Sequence, residues 1–127
     1  MNLIKHNIKF KFDSSLGILF KYHYGLITIE DIKSSWLYAF ENNIIPKENK
    51  GFILDFRNSK FNIKLSEHAE IADFYKNNLD VFGNFKIAII TDKPKDIVVP
   101  ILVQYLDDGY TSCPFSTPEA AINWILS

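Results

Sequence analysis

The chain has little of what would tie it to a covalent or metal-built scaffold. Of its 127 residues only Cys113 is a cysteine. That excludes a disulfide within the chain and any cysteine-based zinc site, and fits a reducing cytoplasm. The three histidines, His6, His23 and His68, are scattered and lack H-x-x-x-H or H-E-x-x-H spacing, so neither a metal nor another cofactor is expected. Long apolar runs are missing too. The longest, "IVVPILVQYL", falls well short of the roughly 20 residues that span a bilayer. The start, "MNLIKHNIKFKFD", alternates apolar with polar residues instead of forming a signal-peptide core. Stable membrane insertion and secretion are therefore not expected. Charge of one sign is also lacking: 14 Lys plus Arg stand against 15 Asp plus Glu. No global field draws the molecule to nucleic acid, and no nucleic-acid partner is expected.

What is present is material for a core. Hydrophobic residues make up 47% of the chain and charged ones 23%, with 11 Phe, 6 Tyr and 2 Trp, which suits one globular domain over residues 1–127. No repeat, low-complexity tract or linker interrupts it. Residues 8–24 read as a hairpin. Ile8, Phe10 and Phe12 alternate with Lys9, Lys11 and Asp13, and Ile18, Phe20, Tyr22 and Tyr24 alternate with Leu19, Lys21 and His23. With even-numbered side chains inward on both arms, even must pair with even. The loop around Ser14, Ser15 and Leu16 then needs an odd number of residues, with Gly17 free to take positive φ. Lys9, Lys11, Lys21 and His23 would share a solvated basic face, without the interleaved aromatics of a single-strand-binding platform.

Thr28 and Asp31 form a capping box before a helix over 29–42, whose stripe is Ile29, Ile32, Trp36 and Phe40. "GFILDFR" reads as a third strand, Ser66 as the N-cap of a second helix over 67–78, and "FKIAIITD" as a strand apolar on both faces. The stripe of that second helix is His68, Ile71, Ala72, Tyr75 and Leu79. Pro94 is expected to open a third helix over 95–107, with Pro100 weakening or kinking it. "TSCPF" suits an edge strand because Pro114 cannot donate to a ladder, and Thr117 with Pro118 starts a terminal helix carrying Ala121, Trp124 and Ile125 inward. The order ββαβαβαβα predicts an α/β fold with a five-stranded, mostly parallel sheet and four helices.

"ITIEDI" after a hairpin, "FILDFR" on the third strand, "KIAIITDKP" on the fourth and "GYTSCPFSTPEAAINWI" at the end, in this order over nearly the whole chain, resemble the STAS domains of the bacterial SpoIIAA-like group. The resemblance implies a β-α superhelix and a non-enzymatic regulatory or protein-interaction role. The related architecture of CRAL-TRIO lipid carriers adds a small lipophilic ligand as an alternative.

Anti-anti-sigma factors of this group carry a phosphorylatable serine at the start of the helix after the third strand, in a pattern near Asp-Ser-Ser/Thr-Gly. Ser66 is the corresponding candidate. Leu65 precedes it and Glu67 and His68 follow, so the pattern is missing, and a plain N-cap is the simpler reading. Asp55 and Arg57 alternate along the third strand near its carboxyl end, where open α/β sheets bind ligands, and Asp92 ends the fourth. The three could build an anion or partner site; equally, Asp55 accepts local backbone donors and Arg57 pairs with it. Cys113 beside Pro114 reads as a small apolar residue rather than a nucleophile. No nucleophile with a paired base is visible, so no enzyme is expected. The third helix is apolar nearly all round. Val98, Ile101, Leu102 and Tyr105 lie on one side and Val99, Val103 and Leu106 on the other, a surplus suited to a homodimer contact, a protein partner or the opening of an apolar cavity.

Overall fold

The computed structural model describes residues 7–127; His6 lies outside them. The chain runs β1 (Ile8–Asp13), β2 (Ile18–Ile27), α1 (Ile29–Glu41), β3 (Gly51–Phe61), a 3₁₀ turn (Leu65–Glu67), α2 (His68–Lys76), α3 (Leu79–Phe82), β4 (Lys86–Ile90), α4 (Val98–Tyr105), β5 (Thr111–Phe115) and α5 (Pro118–Leu126). The fold is α/β, with a five-stranded mixed sheet in the order β1-β2-β3-β4-β5. β1 is antiparallel to β2 and every other pair is parallel. The short helix α3 is an addition to the expected four.

The sheet is covered on both sides. One core gathers Trp36 of α1, Ile71 and Tyr75 of α2, Phe82 of α3 and Val99 and Val103 of α4 against Phe10, Leu19 and Phe52 of the sheet. A smaller core sets Ala121 and Ile125 of α5 against Ile18, Ile53, Ala88 and Ile90 on the opposite face. Local chemistry explains most boundaries. Thr28 accepts from the Asp31 N–H at 3.1 Å while Asp31 accepts from the Thr28 N–H at 2.9 Å, so α1 begins with both orphan donors satisfied. Trp36 at its centre stacks edge-on to Phe52 and Phe82, with centroids 5.5 and 5.0 Å away. Thr117 caps α5 with Pro118 in its first turn, and β5, carrying Pro114, is an edge strand. At Gly51 the backbone of β3 comes so close to α5 that an added Cβ would stand 2.7 Å from Ile125 Cγ2.

The hairpin differs from the sequence reading, and the difference matters for function. Asp13 pairs with Ile18, which leaves the four residues 14–17 in the loop, an even number. Asp13 builds that loop itself: its Oδ1 accepts from the Ser15 N–H at 3.0 Å, the Ser15 hydroxyl at 2.7 Å and the Leu16 N–H at 3.0 Å. Gly17, at φ 72°, then returns its N–H to the Asp13 carbonyl at 2.8 Å. An even loop pairs even with odd: Phe12 with Leu19, Phe10 with Lys21 and Ile8 with His23. Lys21 and His23 therefore point into the helical layer with Phe10 and Ile8, and the expected basic face of Lys9, Lys11, Lys21 and His23 does not exist. Alternation misled here because β2 is buried on both faces, with Ile18 in one core and Leu19 in the other.

Two helix starts also shift. α4 begins at Val98, because residues 94–96 are taken up by a turn closed by the Asp96 N–H on the Lys93 carbonyl at 2.9 Å. Pro100 thus sits in the first turn, where its missing N–H has no intrahelical partner to lose. The first helical bond is Ile101 N–H to Ile97 carbonyl at 3.1 Å. It does not kink the helix from within. Ser66 is exposed in the 3₁₀ turn and caps nothing. Glu67 Oε1 instead accepts the Lys64 N–H at 2.8 Å, and α2 starts at His68, one residue later than an N-cap at Ser66 would place it.

Candidate functional site

Beneath α4 lies a cavity of about 30 Å³. α4 closes it with Val99, Pro100 and Val103, α2 contributes Ile71, and Leu54 and Phe56 of β3 form the floor. Its lining is hydrocarbon almost throughout. The exceptions in residue type are Lys21 and His23, brought there by β2, and Tyr75 of α2.

Both are fully inside the protein. Lys21 is 1% exposed, and its Nζ has no hydrogen-bond partner among the described residues. The Nζ lies 4.2 Å from the centroid of the Trp36 ring and 5.8 Å from that of Phe10. Burial drives its pKa well below the ordinary lysine value, against a smaller opposing pull from Asp31. His23 is likewise 1% exposed. Its Nδ1 is 3.1 Å from the Asp55 carbonyl oxygen, and its ring stacks on Phe56 with centroids 3.9 Å apart. A carbonyl only accepts, so Nδ1 carries the proton and Nε2 presents a lone pair, for which no donor is found among the described residues. Burial, reinforced by Lys21, pushes the imidazole pKa well below its usual value. The strand pairing is irregular at this point: Tyr22 faces Asp55 and Tyr24 faces Asn58, so Phe56 and Arg57 share the single place opposite His23. Such irregularities re-aim side chains and recur beside functional sites.

Neither residue was singled out as a ligand contact in the sequence. The signal that could have found them is Asp13-Ser14-Ser15-Leu16-Gly17, an aspartate-initiated turn of even length. Of the α4 residues proposed as a surplus face, Val99 and Val103 look inward at this cavity. Leu106 is exposed, together with Val98, Ile101 and Tyr105, the last 82% exposed.

The second candidate constellation is largely self-satisfied. Asp55, 5% exposed, takes a forked grip from Arg57: Nε lies 3.0 and 3.2 Å from its two oxygens and one terminal nitrogen 2.7 Å from Oδ2, with the Arg57 N–H at 3.0 Å. Asp92 is exposed and is hydrogen-bonded to the pair through Lys93, whose Nζ donates to the Arg57 carbonyl at 2.7 Å and to Asp92 Oδ1 at 3.2 Å. Beside them runs an open groove of about 410 Å³ bordered by Arg57, Lys60, Lys93 and Leu26. The Cys113 thiol is half-buried, and burial raises its pKa, which suppresses the thiolate. Among the described residues no cluster of three His, Cys, Asp or Glu is arranged to hold a metal, and no helix is long and apolar enough to cross a membrane.

No family model matches the chain, and no curated protein matches it. Among solved structures, the chain is similar to an uncharacterized protein of the DUF3478 family from Shewanella loihica PV-4, whose fold is described as SpoIIAA-like. The similarity has a TM-score of 0.64 at 16% sequence identity and covers 98% of each chain. With the strand order and helix placement described above, it follows that this chain has the SpoIIAA-like fold.

Proposed function

We propose that the domain is a non-enzymatic, cytoplasmic binding module of STAS type, and that it carries or senses a small lipophilic ligand in the cavity beneath α4. One observation carries this reading: an apolar-lined space beneath α4, bordered by the completely buried side chains of Lys21 and His23. Lys21 Nζ and His23 Nε2 have no hydrogen-bond partner among the described residues, at a cost of order 1–3 kcal/mol each. Native mass spectrometry of the purified protein, with organic extraction, tests the proposal. A stoichiometric small molecule released on unfolding supports it. A protein that is ligand-free as isolated and that takes up no apolar probe refutes it.

A second reading, a regulatory protein-interaction module or homodimer, is favoured by the outer side of α4, where Val98, Ile101, Tyr105 and Leu106 are exposed in one short helix. In this reading α4 is the joint between ligand and partner, because Val99 and Val103 on its inner side wall the cavity. Asp55 serves the sheet rather than a ligand, since Arg57 already occupies both its oxygens. Ser66 lies exposed ahead of α2 and retains the position, though not the sequence pattern, of the phosphorylated serine in anti-anti-sigma factors.

A further inference from the structure

We propose that the open face of the sheet beside α5 binds single-stranded nucleic acid, with bases stacked on the aromatic side chains of β2 and phosphates held by the lysines that flank them. The register of the hairpin builds this face. Lys9 stands opposite Tyr22 and Lys11 opposite Phe20, so the two lysines share a side of the sheet with the two rings. Tyr24 and Leu26 continue the row, because alternate residues of a strand point the same way. On the other flank Asn58 pairs with Tyr24 and Lys60 with Leu26. The expectation of no nucleic-acid partner rests in part on a basic face without aromatics. The observed register puts Phe20 and Tyr22 beside Lys9 and Lys11 in place of Lys21 and His23, which supplies the missing rings.

The groups that would touch the strand are accessible. α5 packs on β3, β4 and β5, and beside it Lys9 and Lys11 are exposed, Phe20 and Tyr22 half-buried, and Tyr24 and Leu26 38% and 58% exposed. The Phe20 and Tyr22 rings are within 12° of parallel, with centroids 5.9 Å apart. Every base has a π-face, so a row of rings accepts successive bases whatever their identity, while a cationic groove beside it tracks the backbone. The groove along Arg57, Lys60 and Lys93 opens at Leu26, where the row ends. Charge favours an anion. Lys9, Lys11 and Lys60 have no ion pair among the described residues, whereas Asp55 is matched by Arg57 and Asp92 by Lys93. Asp13 is committed to its loop, and Glu119 of α5 is the remaining carboxylate whose field reaches Arg57. A bilayer fits less well, since only Tyr24 and Leu26 stand out from the face and the half-buried rings behind them do not. A duplex offers no open base face to the row.

The test is a fluorescence-anisotropy titration of the full chain with a labelled oligothymidylate of about twelve nucleotides, and with the same strand in duplex with oligoadenylate. Wild type is expected to bind the single strand at low salt and the duplex roughly tenfold more weakly. Tyr24→Ala is expected to bind the single strand about fivefold or more weakly, as one base stack is lost. The logarithm of affinity is expected to fall against the logarithm of salt with a slope of about −2, for three phosphates met by Lys9, Lys11 and Lys60. In the double variant Lys9→Gln with Lys11→Gln the slope is expected to flatten to about −0.7. Lys47→Gln, on the loop between α1 and β3, is expected to bind as wild type does. No binding by wild type at low salt refutes the proposal. Equal affinity for strand and duplex with Tyr24→Ala undiminished also refutes it, because charge alone is then at work. An equal loss in Lys47→Gln and in the double variant places the strand elsewhere and overturns the assignment. Binding to vesicles of phosphatidylserine and phosphatidylcholine, with none to the oligonucleotide, gives the face to a membrane and overturns it too. All four substituted side chains are exposed, and thermal unfolding of each variant verifies that the fold is kept.

Discussion

Replacing Lys21 with methionine should make the protein more stable, and the gain should shrink as pH rises. Methionine has nearly the reach of lysine and no group to desolvate. Lys21 loses its hydration entirely and gets in return only ring faces at 4.2 and 5.8 Å and the field of Asp31. A desolvated cation–π contact returns about 2 kcal/mol, against an effective penalty of several kcal/mol for burying an ion. The net gain on substitution is expected at about 1–4 kcal/mol near neutrality, in line with other buried charges replaced by hydrophobes. The sign of the pH effect follows from proton counting. An unfolded lysine binds its proton up to about pH 10.4, while the folded one, its pKa lowered by burial, has already released it. The unfolded state therefore holds more protons across that window. Lys21 penalises folding most at the low-pH end, and the penalty fades toward pH 10 by at most about 1.4 kcal/mol per pH unit.

Urea unfolding of both proteins at half-unit steps from pH 7 to 9.5 measures this as a difference. Cys113, with a raised pKa, acts with the opposite sign but contributes equally to both proteins and cancels. Stopping at pH 9.5 also avoids the buried Tyr75 and Tyr110, whose phenols are pushed well above the ordinary value. A Lys21→Met protein that is less stable than wild type at pH 7, or a stability difference that stays flat with pH, would refute the picture of an unpartnered, desolvated amine.

Gly51→Ala should cost about 1–3 kcal/mol by overpacking β3 against α5, and Ile125→Ala, which removes the Cγ2 at 2.7 Å, should relieve much of that cost in a double-mutant cycle. Arg57→Met should destabilise by about 1–3 kcal/mol, because it strips the side-chain donors from Asp55 while leaving the Arg57 N–H in place; chemical denaturation reads this directly. Thr28→Ala should cost about 1 kcal/mol through loss of the capping box at α1, visible as a lower denaturant midpoint with an unchanged slope.

The parts of the fold legible in the sequence were those whose signals are local. Thr28 with Asp31, Thr117 with Pro118, the stripe through Ile32 and Trp36, and the doubly apolar "KIAII" all act within a few residues, and the structure keeps each of them. β2 was misread because its partners on the two faces, α1 and α5, come from distant parts of the chain. With apolar side chains needed on both sides, polarity no longer marks which side is out. A buried lysine runs against every compositional expectation, and only the turn chemistry of Asp13 decides its direction. The start of α4 was placed too early because Pro94 is as good in a turn as at a helix start, and the bond from Asp96 to Lys93 that settles the matter has no separate sequence signal. For the site, Val99 and Val103 were recognisable as surplus apolar groups, but their direction depends on where the helix begins.

The turn at residues 14–17 gives this protein an unusual sensitivity to changes in chain length. Surface loops commonly accept an insertion or deletion with little effect. Here one residue more or fewer would rotate all of β2 by half a pleat. Phe20 and Tyr22 would enter the helical layer, and Lys21 and His23 would move to the side of α5. Point changes in the loop would leave the cavity's chemistry alone, whereas a single-codon indel would replace its amine and imidazole with two aromatic rings at once. Among homologous chains of this fold, the length of that loop should therefore track the kind of ligand accepted more closely than the identity of any residue in it.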